Sequence, residues 1–430
     1  MSPDGWQQLP FGELAAQTRN AIVGGPFGSN LVSADYTPAG VPVIRGQNMA
    51  GRWIGGDFVF VSAQKAADLA ANLARPGDLV FTQRGTLGQV SLVPELPWDE
   101  YLVSQSQMKA TVDRTKADPL FLYYFFLSPE QQQWIRANAT QTGVPHTNLG
   151  TLRVHPVLLP PPQDQHEIAA VLGSLDDKIE QNRRTAWALE RLARAIFRAW
   201  FGDFEPVKAK AAGAASFPSM PQDIFDALPT TFTESELGPI PEGWEVKPLE
   251  ECVQLTMGQS PPSEYYNEEG QGLPFHQGVT DYGFRFPTHR VFCTVEARLA
   301  EPRDVLLSVR APVGRINVAD RRLVLGRGLA GLRHLQGCQS FLLYQLYHTF
   351  AEEDAVGDGT IYKAVTKKFL SQMPTLSPAS AIVEAFDALV SPFDDLVTAS
   401  ETESRKLSEM RDYLLPKLLS GQVRVEVANG

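Results

Sequence analysis

Cysteine is scarce: Cys252, Cys293 and Cys338 are the only three in 430 residues, and no two stand in a Cys-x-x-Cys pair. That excludes a disulfide framework and suits a reducing compartment, so a cytoplasmic protein is expected. No stretch reaches the roughly 20 apolar residues of a membrane span, and the opening MSPDGWQQLP lacks a basic-then-apolar leader. The seven histidines never take metal-ligand spacing with the cysteines. His289 and Cys293 are the nearest pair, and a half-buried strand accounts for them, so no metal site is expected. Gly24-Gly25-Pro26-Phe27-Gly28 lacks the Gly-Lys-Ser/Thr of a phosphate-binding loop, and no Gly-x-Ser-x-Gly elbow occurs.

Two near-motifs also fail. Ser260-Pro261-Pro262-Ser263 approaches the Pro-Pro-aromatic loop of amino-methyltransferases, but Ser263 offers no ring to stack on a flipped base. Glu245-Val246-Lys247, with Asp226 upstream, carries the residue types of a metal-dependent nuclease. Its counterpart in the internal repeat described next is Gln7-Gln8-Leu9, which marks a surface strand instead. No catalytic residues are expected.

Net charge is −11, which argues against a nucleic-acid binder until its distribution is considered. Residues 1–162 hold 11 basic and 12 acidic groups and 244–378 hold 14 and 15, so these bodies are near neutral and the acid excess lies in the connectors. Patches within the screening length of about 10 Å, not net charge, steer partners, so near-neutral bodies can present local basic faces.

What is present above all is a repeat. Gly5-Trp6 with Pro10 and Glu13 recurs as Gly243-Trp244 with Pro248 and Glu251. PGDLVFTQRGTLGQVSLV (76–93) matches PRDVLLSVRAPVGRINVA (302–319), aligning Pro76/Pro302, Asp78/Asp304, Arg84/Arg310 and Gly88/Gly314. TGVPHTNLGTL (142–152) matches DGTIYKAVTKK (358–368). Each copy ends in a helical segment. In the first, Ile168, Leu172, Leu175, Ile179, Asn182, Ala186, Leu189, Ala193, Ile196 and Trp200 alternate steps of four and three, a heptad seam. The second begins in phase with Ile382, Phe386, Leu389, Phe393 and Leu396, breaks at Ser400 and Glu403, and resumes with Leu407, Met410, Leu414 and Leu418, as a stutter would. Pro392 and Pro416 are expected to kink or end it. About 40 residues at 1.5 Å make a rod of about 60 Å, too long to lie on one small domain. Two matching seams most simply pair with each other.

The expected organisation is a first body (1–162), a helical spacer (163–205), a linker (206–242) rich in Ala, Pro, Ser and Thr, a second body (243–378), a second helical spacer (379–421) and a tail (422–430). The fold class is α+β: short strands broken by Gly and Pro turns, with helices at 119–137 and 338–353 and a core stripe of Phe121, Tyr124 and Phe125.

The loops flanking the matched strands are dense in side chains that suit nucleic acid. The first copy offers Arg45, Gln47, Asn48, Arg52, Gln83, Arg84, Thr86, His146 and Asn148. The second offers Tyr265, Tyr266, His276, Gln277, Arg285, Arg310, Arg315 and Lys363. Arginine reads guanine and Asn or Gln reads adenine in the major groove, while other donors hold phosphate. Arg84/Arg310, alike within divergent loops, suits either a shared backbone contact or a buried structural arginine.

With GPIPEGWEVKPLEE, GQSPPSEYYNEEGQGLPFHQG, LPPPQDQHEIAAVLGSLDDKIEQNRR and the run Met410–Gly421, the chain resembles the specificity subunit of a Type I restriction-modification enzyme, over nearly its whole length. The resemblance implies two target-recognition domains for double-stranded DNA, related by a pseudo-twofold axis and spaced by an antiparallel coiled coil. It also implies docking of two modification subunits, which carry S-adenosylmethionine and methylate adenine N6, and of a motor-nuclease subunit for cleavage. The target would be split and asymmetric, its halves roughly a helical turn (~34 Å) apart. A stand-alone DNA-binding adaptor and a coiled-coil scaffold without a DNA role are the competing readings.

Overall fold

A computed structural model describes residues 5–140, 144–350 and 365–425. The chain forms two compact units, one of residues 1–180 with 405–430 and the other of 181–404.

In the first unit, apolar runs rich in Val, Leu and Ile form two sheets. One has four antiparallel strands in the order Ile22–Gly24, Gln107–Ala110, Leu79–Thr82, Val90–Leu92. The other has five, Tyr36–Thr37, Val59–Val61, Val41–Ile44, Tyr101–Val103, Leu73–Ala74, with one parallel pair in which Val43 faces Leu102. Gln7–Pro10 pairs separately with Pro156–Leu159. The second unit repeats this strand for strand. Its four-stranded sheet runs Val253–Met257, Leu329–His334, Val305–Ser308, Ile316–Val318. Its five-stranded sheet runs Tyr266–Asn267, Phe292–Cys293, Leu273–His276, Leu323–Leu325, Leu299–Ala300, again with one parallel pair, Phe275 facing Val324. Glu245–Pro248 pairs with Pro374–Ser377. The duplication read in the sequence is thus a duplication of topology.

The matched Asp78 and Asp304 show what the repeat preserves. Each is buried and accepts the backbone N–H three residues earlier, Arg75 at 3.0 Å and Glu301 at 2.8 Å, closing a turn. Each also meets a cation from the neighbouring strand, Lys109 at 3.6 Å and Arg333 at 2.7 Å. The residue before each aspartate has positive φ. Gly77 adopts it freely at 86°, whereas Arg303 adopts it at 73° with a side chain to accommodate.

The helix expected over 119–137 is two helices, Pro119–Leu127 and Pro129–Ala137, because Pro129 holds Ser128 in an extended conformation. Asp118 caps the first. Phe121, Tyr124 and Phe125 are buried, and Phe126 meets Phe11 and Phe81 edge-to-face at 5.1 and 4.8 Å. Helix Gln339–Phe350 holds the corresponding place in the second unit.

Two long helices complete the fold, the 36-residue Pro162–Phe197 and the 40-residue Ser380–Leu419. In the first unit Ile168 and Leu172 share a core with Leu415 and Leu418, with Leu414 packed against it, and the Arg411 guanidinium lies 2.8 Å from Asp176. In the second unit Ala193, Phe197 and Trp200 share a core with Ile382, Val383, Phe386 and Val390, with Ile196, Leu389 and Phe393 packed against it. Leu175, Ile179, Leu189 and Leu407 are half-buried. Three expectations need correction. Pro392 and Pro416 do not interrupt Ser380–Leu419, and Ala388, whose carbonyl Pro392 leaves without its helical N–H, is exposed and open to water. Leu396 and Met410 are about half exposed, at 49% and 51%, while Val390 and Val397 are buried, so the seam shifts before Ser400 and not at it. Segment 206–242 is not a structureless linker. It forms helices Glu205–Ala211 and Gln222–Ala227 and a hairpin of Phe232–Ser235 with Gly238–Pro241, burying Val207, Phe225, Leu228 and Ile240 against Trp200, Phe201 and Trp244. Among the described residues, no helix is long and apolar enough to cross a membrane.

Candidate nucleic-acid interface

At one end of each four-stranded sheet, backbone hydrogen bonds stitch several loops together. In the first unit Gly25 N donates to Gln107 O (2.8 Å), Ser104 N to Ile44 O (3.0 Å), Gln83 N to Ser106 O (2.7 Å) and Thr147 N to Gln83 O (3.0 Å). In the second unit the equivalent bonds run from Gly258 N to Leu329 O (2.9 Å), Gly326 N to His276 O (2.8 Å), Val309 N to Gly328 O (2.9 Å) and Val365 N to Val309 O (2.8 Å). The matched bonds fix which residues correspond. Arg45 stands where Gln277 does, Arg84 where Arg310 does, and Gln105 where Arg327 does.

Several sequence-derived candidates converge there. Arg84, Thr86, Gln277 and Arg310 are exposed, while Arg45 and Gln83 are half-buried. His146 forms an isolated strand bridge with Arg84. Arg84 and Arg310 are both exposed, not buried, and each stands two residues past the end of a strand, Leu79–Thr82 and Val305–Ser308. Gln47 is exposed beside this cluster, its amide donating to Asp57 O at 3.3 Å. Asn148 is exposed, but its side chain caps helix Leu149–Arg153 by accepting from Thr151 N at 2.9 Å. Tyr265 is exposed, and Tyr266 is half-buried, stacked on Phe275 with ring centroids 4.4 Å apart. Arg315 is exposed, its backbone N–H donating to Ser308 Oγ at 2.8 Å. Lys363 lies outside the described residues.

Four candidates face inward and are corrected here. Asn48 is buried, accepting from Arg45 N at 3.0 Å and donating to the carbonyls of Gly55 and Asp57 at 3.0 and 2.9 Å, so its amide holds the loop. Arg52 donates to Tyr124 Oη (3.3 Å) and Gly173 O (3.1 Å) and pairs with Asp177. Arg285 is buried between Asp394 (2.8 Å), Glu190 (3.1 Å) and Tyr344 Oη (3.1 Å). The two arginines play one part: each ties its body to a long helix through a tyrosine that also donates to an aspartate, Tyr124 to Asp176 and Tyr344 to Asp394, both at 2.7 Å. His276 is buried, its Nε2 3.0 Å from His289 Nδ1, and His289 Nε2 lies 2.9 Å from Asp320. Burial, then the neighbouring His289, pushes the His276 pKa down to about 4, so it is neutral near pH 7.

Residues 31–191 match the model of the Type I restriction modification DNA specificity domain. The chain is similar to Type I specificity subunits. It is 28% identical over 383 residues to the protein named "Putative type I restriction enzyme MjaX specificity subunit" of Methanocaldococcus jannaschii, covering 85% of this chain and 83% of that one. To the type I restriction enzyme HindI specificity subunit of Haemophilus influenzae it is 22% identical, covering 82% and 88%. In fold it resembles the crystal structure of a Type I restriction-modification S subunit from M. genitalium, with a TM-score of 0.61, 16% identity and 96% of both chains covered. Two positions in the stitched loops, Gln105 and Arg327, escaped the sequence reading. The only signal for Arg327 was its setting between two glycines, Gly326 and Gly328.

Proposed function

We propose that the chain is the non-catalytic DNA-recognition subunit of a Type I restriction-modification complex. Each unit reads one half of a split, asymmetric target through its stitched loops. The two long helices pair as an antiparallel coiled coil in a pseudo-twofold arrangement, spacing the bodies and docking two modification subunits. Those partners would supply S-adenosylmethionine for adenine N6 methylation, and a motor-nuclease subunit would join for cleavage. Arg45, Gln47, Gln83, Arg84, Thr86, His146 and Asn148 face the first half-site; Tyr265, Tyr266, Gln277, Arg310 and Arg315 face the second. A cytoplasmic location follows from that role.

One observation supports this reading above the rest. The same loops, joined by the same backbone bonds, recur in both units and carry different side chains, as two readers of two different sequences require. The test is to express the chain with its modification subunits, co-purify them and map methylated adenines across a genome. A split motif with an unread gap is expected. A continuous motif, or failure of the subunits to co-purify, would overturn the proposal.

A further inference from the structure

This inference deepens the proposed function and rests on it. At three equivalent loop positions the first unit carries Arg45, Arg84 and Gln105, and the second carries Gln277, Arg310 and Arg327. The central position is constant, while the outer two exchange their residue types. A constant arginine suits the phosphate backbone, which is the same in every sequence, and the exchanged positions suit base edges, which are not.

The two outer positions differ in how far their side chains are spent. In the first unit the Gln105 amide donates to the carbonyls of Gly28 and Leu31, at 2.5 and 2.9 Å, so it holds a loop. In the second unit Arg327 is exposed, and its guanidinium forms no hydrogen bond or ion pair with the described residues. Its backbone is nonetheless held firmly. Ser260 Oγ accepts from Arg327 N at 3.1 Å and donates to Gln277 Oε1 at 2.8 Å. Gly328 N donates to Gln277 O at 3.1 Å. The flanking glycines permit the close approach, since a Cβ on Gly326 would lie 2.7 Å from Gln277 Cα and one on Gly328 would lie 2.4 Å from Gln277 O. With Oε1 accepting from Ser260, the exposed Gln277 keeps Nε2 donors that form no hydrogen bond with the described residues. The cluster therefore offers a guanidinium and an amide NH2 on one braced loop pair.

We propose that Arg327 is a specificity-determining residue of the second unit, reading the N7 and O6 acceptors of a guanine, with Gln277 as the neighbouring donor. Guanine is the base whose major-groove edge presents two adjacent acceptors to an arginine fork. Ser260 acts through Gln277 and Arg327 and is a positioning residue.

The experiment uses the full chain with its modification subunits and a duplex bearing the mapped target. Guanines in the half-site left unaffected by Arg45→Ala are replaced one at a time by 7-deazaguanine, which lacks the N7 acceptor. The wild type should lose about 5- to 150-fold in affinity at one position. Arg327→Ala should show a loss in that range on natural DNA and little further loss on the 7-deaza duplex. An Arg327→Ala variant that keeps full discrimination at every guanine would overturn the proposal, as would one weakened equally on all sequences. A wild-type complex that does not prefer its mapped target over a scrambled duplex would overturn the proposed function itself. Arg327 is exposed, so the variant keeps its fold, and an unchanged circular dichroism spectrum confirms that control.

Discussion

Asn182 donates its amide to Glu403 Oε2 at 2.8 Å and to Ser400 O at 3.4 Å. Asn182 is the polar position in the first heptad stripe, and Ser400 and Glu403 are the polar break in the second. The two irregularities of the pattern meet each other and satisfy each other's hydrogen bonds. A buried amide with a matched partner selects one register, because any slip strands it among apolar side chains.

Removing that amide has a defined cost. Asn182→Ala leaves the buried Ser400 carbonyl without its side-chain donor and should destabilise the chain by about 1–2 kcal/mol. The midpoint of urea unfolding reads it. Asn182→Leu should recover part of this through apolar burial, and an Asn182→Ala variant as stable as the wild type would remove the amide's role in fixing the seam.

Arg285 and Arg310 are both loop arginines of the second unit, yet their substitutions should separate cleanly. Arg285→Ala leaves Asp394 with only the Tyr344 hydroxyl and Glu190 with only Arg194 as partners among the described residues, both carboxylates buried with relative exposures of 8% and 7%, and should cost about 3–5 kcal/mol. Arg310→Ala removes an exposed side chain and should change stability by less than about 0.5 kcal/mol. Thermal or urea unfolding of the two variants side by side checks the contrast.

Sequence spacing revealed the architecture because duplication writes the same periodicities twice. Strand character at 79–82 and 305–308, the turn aspartates Asp78 and Asp304, and the stripes of the long helices all follow from local pattern. Direction was harder to read. Arg52 and Arg285 look like any other loop arginine until Tyr124, Asp177, Tyr344, Asp394 and Glu190 close around them, and those partners lie tens of residues away or more. Asn48 was misread for the opposite reason, since its partners are close by but are backbone carbonyls that no pattern displays. The folding of 206–242 was hidden because Val207, Phe225, Leu228 and Ile240 are spaced irregularly and bury their side chains in one cluster with the distant Trp200 and Trp244. The equivalence of Gln105 with Arg327 needed the hydrogen-bond register, because Ser104-Gln105-Ser106 and Gly326-Arg327-Gly328 share no residue.

Arg84 and Arg310 should behave as a pair toward DNA. Each stands exposed at the equivalent position, two residues past a strand of its own unit, as a phosphate contact common to both halves would. Arg84→Ala or Arg310→Ala should weaken binding to target and non-target duplexes alike and lower the slope of log affinity against log salt by about 1. A titration series between 50 and 200 mM salt, roughly the range over which such contacts are resolved, measures both. A loss confined to one half-site would reassign the residue to base reading.

Acid sensitivity follows from two buried histidines. His155 lies against Trp134 with ring centroids 4.1 Å apart and has its Nε2 2.8 Å from Gln131 Oε1; burial pushes its pKa down to about 4. His276 is lowered to about 4 by burial and by His289. Both fall well below the ordinary value of about 6.5, so the unfolded chain binds protons that the folded chain refuses. Their contribution is fully present above pH 6.5, is lost progressively as pH falls toward 4, and levels off below that. Each should cost about 2 kcal/mol by pH 5 relative to pH 7.5. Urea midpoints at pH 7.5, 6.0 and 5.0 should therefore fall in that order. His155→Gln, which keeps a donor toward Gln131 and cannot titrate, should lose less over the same range. A variant with the same pH dependence as the wild type would show that the ring at position 155 binds protons equally in the folded and unfolded states.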